Sequence, residues 1–167
     1  HLFTGQVRNV HANRIRAALD SRALVLLSPV GYSPSGQAFN LASDELAADV
    51  ALALEADKLV MFDEHGYIQD ETGRNRTNLT PAQLDELLDR TQPANAYQLR
   101  AMLRASRGGL PRGHLVSFVE DGALLQELFT ARGHGTQVSE FRSQLTRPAR
   151  LEDVAGIVEV IRPLEEA

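Results

Sequence analysis

Between residues 112 and 138 the chain reads RGHLVSFVEDGALLQELFTARGHGTQV, and few folds accommodate that order. The opening run, residues 114–119, is short, apolar and rich in Val and Phe, which suits a buried strand. Asp121-Gly122 punctuates it. Leu124, Leu125, Leu128 and Phe129 then recur at the spacing of one helix face. Gly133 follows that stripe, where a glycine can take the left-handed conformation that closes a helix. Residues 135–138 read as a glycine-flanked polar strand, completing a strand–helix–strand unit.

The polar groups of this unit suggest more than scaffold. Free carbonyls at a helix C-terminus carry partial negative charge, so the end over residues 130–133 favours a cation. Glu127 lies among leucines on the same helix, and His114 leads the strand that feeds it. A carboxylate, a helix end and an imidazole can converge on a small cation, and a guanidinium matches a carboxylate fork best. The same residues also fit a solvated glutamate, a strand-end histidine and an ordinary cap. Spacing alone does not choose between them.

The rest of the chain extends the α/β pattern. Residues 1–10 alternate around Thr4-Gly5 and suggest a hairpin or paired strands. Asn13 is placed to cap a short helix carrying Ile15, Ala18 and Leu19 toward the core. The uninterrupted run ALVLL, residues 23–27, suits a central parallel strand covered on both faces. A turn signal over Ser33-Pro34-Ser35-Gly36 predicts a small hairpin. Over residues 40–55, Asn40 or Ser43 can cap a helix with Asp44 and Glu45 in its first turn and a stripe of Leu46, Ala47, Val50, Ala51 and Leu54. KLVMF, residues 58–62, is the next strand, giving strand, crossover, helix, strand. Residues 63–78 read as a β-excursion and loop. Thr80-Pro81-Ala82-Gln83 is a capping-box helix start with proline at the first helical position, and Leu84, Leu87 and Leu88 form its apolar face. Pro93 breaks that helix, and a second runs over residues 94–106 to Gly108-Gly109.

Bulk properties exclude several classes. A chain of 167 residues buries one good core and part of a second unit. Its net charge of −5 offers no basic field to nucleic acid or anionic membrane, and no run approaches a membrane span. Cysteine is absent, which removes disulfides and thiolate chemistry and is compatible with a cytoplasmic protein. The 5 histidines show no metal-ligand spacing, so no metal site is expected. A start at His1 without Met and an end inside a helical pattern suggest part of a longer polypeptide.

DGALLQELFTARGHGTQV resembles the end of the amino-acid-kinase domain in arginine-sensitive N-acetylglutamate kinases and synthases, and HLVSF and IVEVIRPLE are most similar to the bacterial synthases. The resemblance implies a three-layer αβα sandwich with a mostly parallel sheet over residues 1–142, incomplete at its start. It further implies a linker over 143–149, and over 150–167 the first strand and helix of a GNAT acetyltransferase domain. The synthases move acetyl from acetyl-CoA to L-glutamate in the first step of arginine biosynthesis. The implied partners are therefore L-arginine, L-glutamate, acetyl-CoA and further copies of the chain, with no cofactor held by this portion.

In the arginine-sensitive members a His, a Glu and a Gly hold the feedback inhibitor, and they match His114, Glu127 and Gly133. A kinase-type Asn-x-x-x-Asp segment matches Asn40 and Asp44, which equally suit helix capping. Asp63 ends a strand where such sheets place ligand contacts, and equally suits a solvated turn. The kinases' Gly-Met-x-Pro-Lys motif meets Gly109-Leu110-Pro111-Arg112 here, and arginine is no shape match for the phosphoryl-stabilising lysine. The departure speaks against phosphoryl transfer and makes this a vestigial kinase site. Two rivals to a regulatory domain stand open: a true N-acetylglutamate kinase, and an assembly module that senses no arginine.

Overall fold

A computed structural model gives the structure of residues 3–91, 93–130 and 133–140. Helix α1, Ala12–Asp20, buries none of its residues, so the expected turn of Ile15, Ala18 and Leu19 into a core does not occur. Asn13 lies inside it, and His11 stands at the N-cap without a side-chain bond. No hairpin forms over residues 5–10. The backbone beside them pairs instead with Asn40, through an isolated parallel bridge to Thr4.

The ALVLL run departs most from expectation. Residues 23–27 form no strand, and Leu24 and Leu26 are 87% and 86% exposed. An apolar run becomes a central strand only when neighbours take its backbone hydrogen bonds and layers cover both faces. Among the described residues it has neither. The strand–helix–strand unit expected to begin there therefore begins later.

Strands β1, Val30–Tyr32, and β2, Ala38–Asn40, form the predicted antiparallel hairpin, with Val30 opposite Asn40. Helix α2, Ser43–Ala53, starts with Asp44 and Glu45 in its first turn, yet Ala42 holds the N-cap position and neither Asn40 nor Ser43 caps it. β3, Leu59–Asp63, follows. The polar stretch after it carries β4, Ile68–Gln69, antiparallel to β5, Asn75–Arg76, and then β6, Asn78–Leu79. Helix α3, Pro81–Thr91, has a reciprocal capping box: Thr80 N–H donates to Gln83 Oε1 at 2.9 Å and Gln83 N–H to Thr80 Oγ1 at 3.2 Å. Leu84, Leu87 and Leu88 are buried as its pattern predicts. Helix α4, Ala96–Arg107, runs back to β7, Gly113–Ser117.

Helix α5, Ala123–Phe129, and β8, Thr136–Val138, complete the order. The helix ends earlier than Gly133 suggested, at Thr130. Gly133 is left-handed, with φ of 64°, and its N–H reaches Thr130 Oγ1 at 3.2 Å. The leucine stripe is not packed throughout: Leu125 is 62% and Phe129 78% exposed, and Ala123 is the buried residue.

The main sheet has strand order β3-β7-β8-β6. β3 with β7 and β6 with β8 are parallel, while β7 and β8 run antiparallel, so the sheet is mixed and mostly parallel. Alternation along β7 decides what lies where. A Cβ on Gly113 would run into the Met102 side chain of α4, and Leu115 shares that face and its core with Leu84, Leu88, Leu99 and Met102. His114 points to the opposite face, where α5 packs. Helices α2, α4 and α3 lie together on one side and α5 on the other, an αβα arrangement. The end of the 1–142 unit, the linker at 143–149 and the acetyltransferase start at 150–167 lie outside the described residues.

Candidate functional site

On the α5 side of the sheet His114 is 4% exposed. Its Nδ1 meets Glu127 Oε1 at 2.5 Å, and both side chains are 5% exposed. Glu127 Oε2 accepts the backbone N–H of His134, also at 2.5 Å. Gly133 sits so close that a Cβ there would collide with Glu127 Oε2. The structure thus brings His114, Glu127 and Gly133 together, although α5 stops before the glycine. Gly133 N–H bonds back to Thr130, and the next N–H, that of His134, faces the helix's own glutamate.

The cluster holds negative charge deep in the protein. The hydrogen bond from His114 lowers the Glu127 carboxyl below its ordinary value, against burial, which raises it. The His134 N–H and the charges of both histidines add to the lowering. A carboxylate offers about four lone-pair positions. Two contacts occupy one on each oxygen, which leaves room for a further donor pair. His114 Nε2 is buried with no hydrogen-bond partner among the described residues.

Three residues that sequence reasoning missed complete the cluster. His134 Nε2 stands against a Glu120 carboxylate oxygen, and Tyr67 meets the His134 ring edge-on at 5.7 Å. Burial raises the Tyr67 hydroxyl, and the charges of Glu120 and Glu127 add to it. Tyr67 reaches the site because Gly66, with φ of 69°, presses against the Ser117 backbone where any Cβ would collide. His134 stood in plain view beside Gly133. Tyr67, by contrast, is remote in sequence and carries no motif.

Of the four residues matched to a kinase-type site, Asp63 and Arg112 are held apart, and this corrects their grouping from sequence. Asp63 lies at the C-terminal end of β3, opposite Ser117, while Arg112 precedes Gly113 at the other end of β7. At ~3.3 Å per residue, they are roughly 16 Å apart along the strand direction. Arg112 is exposed. The Asp63 oxygens accept from His65 N–H at 2.8 Å and Asn95 Nδ2 at 2.9 Å, so they hold a turn and a helix start. Asn40 works through its backbone, bonding Phe3 O at 2.8 Å and Gly5 N at 2.9 Å. Asp44 is half-buried in the first turn of α2, and burial, then the Glu45 charge, raises its carboxyl. No hydrogen bond or ion pair among the described residues joins any of these to another.

The fold agrees with what the chain is similar to. The model of the amino acid kinase family matches residues 2–114. This chain belongs to that family. Within the amino acid kinase family, relatives named amino-acid acetyltransferase cover nearly all of it. One from Pseudomonas fluorescens (strain SBW25) is 47% identical over 165 residues, 98% of this chain and 38% of the relative. Another, from Azotobacter vinelandii, is 46% identical over 169 residues, 99% of this chain and 39% of the relative. The structure of N-acetylglutamate synthase from Neisseria gonorrhoeae complexed with coenzyme A and L-arginine superposes with a TM-score of 0.82 at 30% identity, over 96% of this chain and 38% of that one. Carbamate kinase from Giardia lamblia bound to AMP-PNP, at 14% identity and a TM-score of 0.63, covers 81% of this chain and 46% of its own and shares the fold alone. The chain thus spans under two-fifths of the length of the acetyltransferase relatives it matches.

Proposed function

We propose that this chain is the kinase-like regulatory portion of an N-acetylglutamate synthase, and that it binds the feedback inhibitor L-arginine at His114, Glu127 and Gly133. The parent protein transfers acetyl from acetyl-CoA to the α-amino group of L-glutamate, and this portion takes no part in the bond change. The observation that carries the reading is the buried Glu127 carboxylate, held anionic beside His114 and pressed against Gly133. A buried anion with unused lone pairs calls for a cation with several N–H donors, and a guanidinium supplies five in a planar fork. Relatives named for amino-acid acetyl transfer, and a synthase structure complexed with L-arginine, support the reading.

The kinase rival has less support, since Arg112 and Asp63 stand at opposite ends of the sheet. The deciding experiment uses the full-length protein and follows acetyl-CoA-dependent acetylation of glutamate against arginine concentration. Glu127→Ala is expected to raise the half-inhibitory arginine concentration by roughly tenfold or more, as loss of a charge-assisted contact predicts. Turnover without arginine is recorded alongside. Equal loss of turnover and inhibition would sink the assignment.

A further inference from the structure

The ring of His134 and the carboxylate of Glu120 meet each other beside this site and, among the described residues, make no hydrogen bond with its Glu127 carboxylate. His134 gives its backbone N–H to Glu127, and its side chain is 24% exposed although Nε2 itself is buried. That Nε2 stands against the Glu120 carboxylate, itself 52% exposed. The contact lies off the line of a hydrogen bond, and Nε2 has no hydrogen-bond partner among the described residues. A contact off hydrogen-bond geometry to a half-exposed carboxylate contributes little stability and opens readily. Tyr67 packs edge-on against the ring, a contact independent of Glu120.

The charges are layered. The Glu127 carboxylate, 5% exposed, forms the floor, and nearer solvent the Glu120 carboxylate, 52% exposed, and the His134 imidazole form the rim. A free amino acid with a cationic side chain has the complementary layout: guanidinium inward, α-ammonium and α-carboxylate at the rim. His114 Nε2, buried and without a hydrogen-bond partner among the described residues, independently marks a place for a polar group of a ligand. Resting on the arginine reading above, we propose that Glu120 and His134 set the site's specificity by exchanging their mutual contact for the α-ammonium and α-carboxylate of L-arginine.

The test titrates the full-length protein with L-arginine, with agmatine, which lacks the α-carboxylate, and with 5-guanidinopentanoate, which lacks the α-ammonium. Each lost head-group contact is expected to weaken binding roughly tenfold. Glu120→Gln should weaken L-arginine by about that factor and leave 5-guanidinopentanoate unchanged. His134→Gln should weaken L-arginine similarly and leave agmatine unchanged. Both side chains are partly exposed, so neither change buries a charge, and a matching thermal melt verifies folding. If either variant leaves arginine affinity intact, or weakens arginine and the matching analogue equally, the proposal falls while the arginine reading stands. If the wild-type protein does not bind arginine at all, both fall.

Discussion

At the scale of single residues, Glu127 is where burial and charge oppose each other. Its carboxylate is nearly inaccessible, yet hydrogen bonds from His114 and the His134 backbone keep it ionised. A carboxyl whose value is lowered by folding stabilises the protein above its unfolded value, about 4.3, and that contribution fades as the pH falls through the folded value. Glu127→Gln removes the charge and turns an amide donor toward one of the two donors. It should therefore lower stability by roughly 1–3 kcal/mol near neutral pH. The difference from wild type should shrink on acidification, because the wild-type carboxyl is then protonated too. Urea midpoints of both proteins at neutral and acid pH decide this, and a difference that grows on acidification would refute it.

At the scale of elements, α3 was the most legible. Thr80, Pro81 and Gln83 announce its start, and the structure shows both capping-box bonds and a buried leucine face. Thr80→Ala should lower stability by about 1 kcal/mol, measured by thermal or urea unfolding. β3, β7 and the hairpin of β1 with β2 were legible for the same reason: their information is local, in apolar runs and turn residues. Helix α1 and the leucine stripe of α5 were misread because periodicity shows which residues share a face, not whether anything covers it. The site divides along the same line. His114, Glu127 and Gly133 lie in one continuous stretch, whereas Tyr67 and the separation of Asp63 from Arg112 depend on which strand ends meet. That is a property of topology, which spacing cannot convey.

At the scale of the whole molecule, two surfaces differ in kind. The layer of α2, α3 and α4 closes over its side of the sheet around Leu84, Leu88, Leu99, Met102 and Leu115. Residues 23–27 instead present an uncharged apolar run to solvent, while β3 stands at the edge of the main sheet with Phe62 46% exposed. Large exposed apolar patches and free strand edges promote association. The relatives are more than twice as long, so in them further chain is available to cover such surfaces. Isolated, this polypeptide should self-associate as its concentration rises, and Leu24→Ser with Leu26→Ser should suppress that. Neither leucine belongs to the buried cluster, so the paired change should leave its unfolding midpoint within about 0.5 kcal/mol of wild type. In the full-length protein the same pair should be destabilising if added chain buries the run, since losing a buried leucine costs about 2–5 kcal/mol. Light scattering on the isolated polypeptide and melting of the longer protein separate the cases. Unchanged association in the first and an unchanged midpoint in the second would show that residues 23–27 are ordinary surface.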